Sequence, residues 1–320
     1  GKESQGYGGL TIMKKLTIIV PSYNEEKNVK PFYDEVKKYL DDPDYQFEIL
    51  YVNDGSRDKT LAEIKAVAAQ DPRVRYLSFS RNFGKEAAMH AGLEHIPNSD
   101  AAIVIDCDLQ QPPFLIPEMV KYHKEGYKIV YTKGRTRKGE PKMRTLFANL
   151  YYKFYNNYSD RPLDNGAKDY QLLDRMVIDA FLKIKDSNRF MKGIFSWVGY
   201  QRKCLEYDFI PRMHGKSSWS FKSLFKYGFN GMNQFSNIMM ALPALGFFIG
   251  ILVLIANLLL YIFHVFTLGA FLLALEIGLA FLFLDILAYG IFYLLYQIRR
   301  QVLNRPLYLI EDMSEGLDVE

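Results

Sequence analysis

Apolar positions along this chain change period three times. In the first third, short continuous runs alternate with helix-like stretches. "KKLTIIVPSYNEE" is a β-branched run stopped at Pro21, with a helix expected over Val29 to Leu40. "FEILYVNDGSRDKT" repeats the scheme, with a helix expected from about Lys59 to Gln70. "VRYLSFSRNFGKEAAMHAGLEH" and "AAIVIDCD" add a third and a fourth strand. Unbroken apolar strands separated by helices predict a mostly parallel sheet covered on both faces. In such sheets ligands bind beyond the carboxyl ends of the strands. Asn24-Glu25, Asn53-Asp54, Arg81-Asn82 and Asp106 to Asp108 all fall at those ends.

A period near 3.6 takes over further on. Met143, Leu146, Phe147, Leu150, Tyr151, Phe154 and Tyr155 form one aromatic-rich helical stripe, and Phe221, Leu224, Phe225, Phe229 and Met232 form another. Core packing accounts for such stripes. So does a helix lying in a bilayer interface, because the first follows a dense cationic stretch from Lys133 to Arg144 and the second leads into strongly apolar chain. Residues 142–158 and 219–237 are therefore candidate interfacial helices. Trp197 reads as core, with a role near the site for Arg189 and Lys192.

Beyond residue 237 the periodicity gives way to continuous apolarity. Segments 238–264 and 270–296 each exceed the roughly 20 residues that cross a bilayer. "FTLG" between them makes a transmembrane hairpin. Lys216, Lys222 and Lys226 before it, and Arg299, Arg300 and Arg305 after it, put both ends in the cytoplasm. Residues 297–320 then read as a cytoplasmic tail, and the chain as a multi-pass protein of the inner or plasma membrane. Glu276 and Asp285 fall inside the second span; Glu276 is near enough to its outer end to reach the interface, and Asp285, near mid-span, is either protonated or helix-bonded, or a subunit or partner contact. Residues 1–12 carry no core pattern and read as a tag or linker.

Composition changes this picture little. The 24% charged content excludes a wholly membrane-embedded chain, the net charge is only +4, and no nucleic-acid partner is expected. Cys107 and Cys204 supply neither a disulfide framework nor metal-ligand spacing.

The chemistry lies in "DCD". On a strand, residues i and i+2 point the same way, so Asp106 and Asp108 would face one ligand and repel unless a cation neutralises them. A hard divalent ion, Mg²⁺ or Mn²⁺, suits oxygen ligands and keeps positions open for phosphate oxygens. No G-x-G-x-x-G follows the first strand and no P-loop sequence occurs, which disfavours dinucleotide oxidoreductases and P-loop enzymes. An activated nucleotide-sugar donor fits better.

In order along the chain, "TIIVPSYNEEKNV", "YVNDGSRDKT", "SRNFGKEAAMHAGL", "IDCDLQQPP", "GAKDYQLLDR", "RMHGKSSW" and "NRPLYLI" resemble the motifs of family 2 inverting glycosyltransferases. The similar branch is that of dolichol-phosphate mannose synthase and the bacterial polyprenyl-phosphate glycosyltransferases. The resemblance implies a GT-A type catalytic domain over residues 13–218, a divalent metal, and a membrane polyprenyl phosphate acceptor. By position it places Pro21, Tyr23, Glu25 and Asp54 at the nucleoside. Asp106 falls at donor ribose or phosphate, Asp108 becomes the principal metal ligand, and Gln110 lies at the metal-diphosphate group. Arg212, Lys216 and Ser217 would close over the diphosphate, Asp169 takes the position of the presumed base, and Arg135 and Arg137 suit the acceptor phosphate.

Two departures stand out: Gln111 where an acid is frequent, and Ser218-Trp219 where a Lys-Tyr pair is common. The expected reaction is transfer of glucose or N-acetylglucosamine from a UDP-sugar, with GDP-mannose as the alternative donor. A homo-oligomer is expected. A processive polysaccharide synthase is disfavoured for want of Q-x-x-R-W. A non-catalytic nucleotide-binding scaffold is the alternative from another class. As an N-cap, Asp169 would have a purely structural role.

Overall fold

The computed structural model describes residues 13–135, 151–153, 155–157, 162–186, 189–208, 210, 228, 231, 248–252, 255–256, 259 and 266–317. Its strands are β1 (Lys14–Ser22), β2 (Tyr45–Asn53), β3 (Val74–Phe79), β4 (Ala101–Val104), β5 (Ile129–Gly134), β6 (Ala167–Asp174), β7 (Arg202–Tyr207) and β8 (Ile310–Met313). Its helices are α1 (Val29–Val36), α2 (Thr60–Ala68), α3 (Lys85–Glu94), α4 (Ile116–Lys124), α5 (Arg175–Leu182), α6 (Met191–Trp197) and α7 (Phe266–Val302).

One eight-stranded sheet runs in the order β7-β5-β6-β4-β1-β2-β3-β8. The block β4-β1-β2-β3 is parallel, as the unbroken apolar runs predict. β6 pairs antiparallel with both β4 and β5, and β8 pairs antiparallel with β3, so the sheet is mixed. Period-2 alternation splits β1 between two cores: Leu16, Ile18 and Val20 enter one, Ile19 the other. α1 closes the first core with Val29, Phe32, Tyr33 and Val36, an i, i+3, i+4, i+7 stripe. α3 lies close against the second face, where a Cβ on Gly92 would meet Ile19 Cγ2 at 2.4 Å.

Several expectations are corrected. α1 stops at Val36 and passes into a 3₁₀ turn over Lys37–Tyr39, and α2 spans Thr60–Ala68, shorter at both ends than its pattern. Trp197 is 55% exposed at the end of α6. Its neighbours Ile194 and Phe195 fill the core positions of that short helix instead. In the aromatic stripe, Tyr155 packs with Leu163 and Phe190 in a small core of its own. The second stripe lies outside the described residues.

α7 is long and apolar, and "FTLG", expected as the link between two spans, is instead its first turn. Leu275–Tyr296, 22 residues with mean hydropathy 2.1, is long and apolar enough to cross a bilayer, and none of it is buried in the protein. Most of the first apolar segment lies outside the described residues, as does the Asp285 side chain, so the hairpin is one described helix and an expectation. The stretch read as a tail does more than trail. After α7 ends at Val302, the chain returns to the sheet edge as β8, with Phe79 opposite Ile310 and Leu77 opposite Met313. Tyr308 stacks on Phe79 at 4.9 Å, and Leu317 is buried.

Candidate active site

The polar residues at the strand ends form two adjoining sockets. The first is at the end of β2. Asp54 continues the ladder by donating its N–H to the Ser22 carbonyl, 2.9 Å away. Its carboxylate, 3% exposed, accepts from the Phe83 N–H at 2.7 Å and the Gly84 N–H at 2.9 Å. Gly55 permits this approach: its φ is +59°, and a Cβ there would meet the Arg81 backbone at 2.2 Å. Burial pushes the Asp54 carboxyl up to about 6, against the two backbone donors and the Arg81 charge. Arg81 lies over the Phe83 ring at 3.9 Å. At the end of β1, Pro21, Tyr23 and Glu25 are half-buried, and the Glu25 N–H donates to Thr60 Oγ1 at 2.8 Å. Asn24 between them has φ 56°.

The second socket joins β4 to β6. β4 stops at Val104, so Asp106 and Asp108 lie in the turn beyond it and not on the strand. Gln111 replaces the missing ladder partner. Its Oε1 accepts the Asp106 N–H at 2.8 Å, and its Nε2–H donates to Asp106 Oδ2 at 2.8 Å. Asp108 is buried, and its Oδ1 accepts from the Gln110 N–H at 3.1 Å. Leu109 between them takes φ 57°, a conformation that costs a branched residue energy and that clusters at functional turns.

Antiparallel register supplies the rest. Val104 is paired with Gln171, so two further steps on each chain bring Asp106 and Asp169 abreast. Lys85, the first residue of α3, reaches between them. Its Nζ is 2.6 Å from Asp106 Oδ1 and 2.9 Å from Asp169 Oδ2. Burial would lower the Lys85 pKa, but the two carboxylates raise it well above the ordinary range. Burial raises Asp106, with Lys85 opposing and the Asp169 and Asp108 charges adding to the rise. Asp169 goes the other way: burial would raise it, yet Lys85 and then Lys192 drag it well below the usual carboxylate range. Lys192 donates to the Ala167 carbonyl at 2.9 Å, and with Asp169, Lys168, Gln171 and Tyr131 it lines a small cavity beside β6.

Asp169 is therefore a strand residue. The helix N-cap in "KDYQLLDR" is Asp174, whose side chain accepts from the Met176 N–H. Arg189 spends its reach on the Ile184 carbonyl and the Phe181 ring. Arg135 is exposed at the end of β5, 3.6 Å from Glu206. Arg137, Arg212, Lys216 and Ser217 lie outside the described residues. Lys85 was not singled out from the sequence. Its position at the head of a helix that follows a strand-end glycine is the signal that could have marked it.

The residues present fit a divalent cation of the Mg²⁺ or Mn²⁺ kind. Asp108 is a buried oxygen donor, Asp106 lies two residues away, and such ions commonly take one or two carboxylates with substrate phosphates completing the shell. Among the described residues no group of three or more His, Cys, Asp or Glu side chains forms a ready cage, so phosphate oxygens would have to contribute.

Fold and site together define a GT-A-like α/β protein with a cluster of acids at the carboxyl ends of a parallel block. A model described as "Glycosyl transferase family 2" matches residues 17–182, more than half of the chain, which therefore belongs to that family and is a glycosyltransferase. "Putative glycosyltransferase CsbB" of Bacillus subtilis (strain 168) is 44% identical over 242 residues, 76% of this chain and 72% of that protein. "Bactoprenol glucosyl transferase" of Shigella phage SfV is 37% identical over 222 residues, 69% of this chain and 72% of that protein. Among solved structures, mannosyl-3-phosphoglycerate synthase from Rubrobacter xylanophilus aligns over 69% of this chain and 72% of its own at 16% identity and a TM-score of 0.46. The non-catalytic scaffold is set aside.

Proposed function

We propose that this glycosyltransferase moves glucose or N-acetylglucosamine from a UDP-linked donor onto the phosphate of a membrane polyprenol. The observation that carries the reading is the convergence of Asp106 and Asp169 on one ammonium at the strand ends, with the buried Asp108 two residues beyond Asp106. The relatives named for bactoprenol glucosyl transfer support the acceptor, and the exposed apolar length of α7 supports a working position at a bilayer.

In this reading an acceptor phosphate oxygen attacks the anomeric carbon from the face opposite the diphosphate. The new C–O bond forms as the bond to the diphosphate oxygen breaks, and that electron pair leaves with the nucleoside diphosphate. The sugar inverts. No proton need be removed, because a phosphate monoester has its second pKa at about 6 and is mostly a dianion at neutral pH. Asp169, held anionic by Lys85, is a weak base. Its role is to orient cations or a sugar hydroxyl. A divalent ion held by Asp108 and Asp106 would neutralise charge developing on the leaving diphosphate. Asp54 and the Pro21–Glu25 turn form the nucleoside socket. Arg212 with Lys216 and Ser217 would clamp the diphosphate, and Arg135 with Arg137 would offset repulsion between anionic acceptor and anionic donor. The catalytic domain and both chain ends face the cytoplasm.

The test is a panel of labelled nucleotide sugars incubated with detergent-purified protein and undecaprenyl phosphate, with and without Mn²⁺. A metal-dependent, lipid-extractable product from UDP-glucose or UDP-N-acetylglucosamine is expected. A product from GDP-mannose alone would transfer the assignment to a mannose synthase. No lipid product from any donor would end the reading.

A further inference from the structure

The reading above leaves Lys85 without a role toward substrate. Its ammonium joins two carboxylates from different strands, Asp106 after β4 and Asp169 on β6, at 2.6 and 2.9 Å. As a structural strut this is a poor choice. Burying an ion pair costs desolvation that apolar residues of the same volume avoid. Nor does Asp106 depend on Lys85 for its position, because Gln111 already grips it at both the backbone N–H and Oδ2. Asp169 likewise has a second cation nearby in Lys192. Lys85 can therefore shift toward an incoming anion without orphaning either acid.

Two of the three ammonium N–H groups are accounted for by the carboxylates. The side chain is 27% exposed, so it is both fixed and reachable. It starts α3, whose N-terminal end carries partial positive charge, directly beside the Asp54 socket, where the Phe83 and Gly84 N–H groups bind. An anion placed between the nucleoside socket and the β4–β6 socket would meet Lys85 first.

We propose that Lys85 is a catalytic residue of this site, giving an N–H to a phosphate oxygen of the reacting complex while its other contacts keep Asp106 and Asp169 in place. This rests on the glycosyl-transfer reading above, and the oxygen belongs either to the donor diphosphate or to the acceptor phosphate. As a compact ammonium it would follow the negative charge as it moves from the acceptor to the leaving diphosphate.

Lys85→Met, Lys85→Arg and Asp169→Asn, with the Lys85→Met/Asp169→Asn double variant, test this. Calorimetry reads UDP binding with Mn²⁺ and farnesyl phosphate binding, and steady-state kinetics read turnover. Lys85→Met is expected to keep its melting temperature within a few degrees and to lose about 100-fold in kcat, with Lys85→Arg recovering part of it. If the contact is to the donor, UDP binding weakens about tenfold and farnesyl phosphate binding holds; if to the acceptor, the pattern reverses. The double variant is expected to lose more than Asp169→Asn alone. Unchanged binding of both probes with turnover within twofold of wild type would overturn the proposal. So would a double variant equal to Asp169→Asn, which would make Lys85 a prop for that acid. If Lys85→Met does not fold, Lys85→Arg with wild-type binding of both probes and wild-type turnover supports the contact, and Lys85→Arg as inactive as a deletion overturns it. Wild-type protein that binds UDP through Lys85 but glycosylates no polyprenyl phosphate would sink the functional reading and leave the lysine's contact standing.

Discussion

Asp54 and Asp169 are both held by the start of α3, through Gly84 and Lys85, and their surroundings treat them in opposite ways. Asp54 is held by two backbone N–H groups, and burial lifts it to about 6. Asp169 is held by an ammonium, and that charge pulls it far below the ordinary range. In the proposed function, the carboxyl lodged among backbone donors would meet a neutral, hydrogen-bonding ligand such as a nucleobase, and the carboxyl locked to a lysine would belong to a set of charges arranged around phosphate. One residue type thus serves two purposes because its environment differs.

Breaking the ionic side should have the largest effect. Asp108→Asn removes a buried oxygen donor from the position best suited to a divalent ion, and turnover should fall on the order of 1,000-fold or more. Chelation of the wild type should do the same, with restoration by Mn²⁺ or Mg²⁺. Full activity in strong chelator would remove the metal from the scheme.

Asp169→Asn comes next. The expected loss is about 100-fold, from misplaced cations. Because the acceptor phosphate is already mostly a dianion from about pH 7 upward, the loss should be equal at about pH 7 and about pH 8.5. A loss that shrinks as pH rises would restore Asp169 as a proton acceptor.

Much of this division was legible in the sequence. Continuous β-branched runs located the parallel block, and Asn53-Asp54 marks the end of β2, but β1 runs through Pro21 to Ser22 and β4 ends at Val104, two residues short of Asp106. Other features depend on tertiary register, which no local pattern carries. Asp169 and Asp106 come abreast only through the β4–β6 pairing. Lys85 reads locally as the solvated start of a helix. Gln111 stood out as a missing acid, yet its amide does what a carboxylate could not, donating and accepting around Asp106 at once. β8 is four residues with two acids, "IEDM", and has no apolar alternation; its pairing comes from edge hydrogen bonds and from Tyr308 beside it.

On the backbone-held side the effects should be smaller and opposite in sign for stability and function. The folded-state pKa of Asp54 is raised, so the folded protein holds that proton more tightly than the unfolded chain does. The contribution of this group to stability is therefore greatest below about pH 4 and declines as pH rises through about 6. Asp54→Asn keeps an acceptor for the Phe83 N–H and removes the buried charge. Melting temperature at pH 8 should rise by about 3 °C, with no gain at pH 4. UDP affinity should fall about tenfold if the carboxylate contacts the base. A gain that is the same at both pH values would mean that the charge is not what the site strains against.

Arg81→Ala probes the same socket most gently. Arg81 is exposed, stacks on Phe83 and bonds the Asn82 carbonyl. It is also the cation that counteracts the rise of Asp54. Removing it should leave the fold intact, since an exposed cation–π contact is worth about 0.5–1 kcal/mol. The Phe83 ring would lose its cover, and the loop that presents the Phe83 and Gly84 N–H groups would loosen. UDP affinity should then fall about two- to threefold at pH 8. The loss should grow as pH drops toward 6, because Asp54, with its nearby cation gone, takes up its proton at a higher pH. The same substitution should leave the metal requirement and the Asp169→Asn effect untouched, since neither depends on that loop. If Arg81→Ala changed the Mn²⁺ dependence as much as UDP affinity, the two sockets would be one coupled unit, and the contrast between backbone-held and cation-held carboxylates would lose its functional meaning.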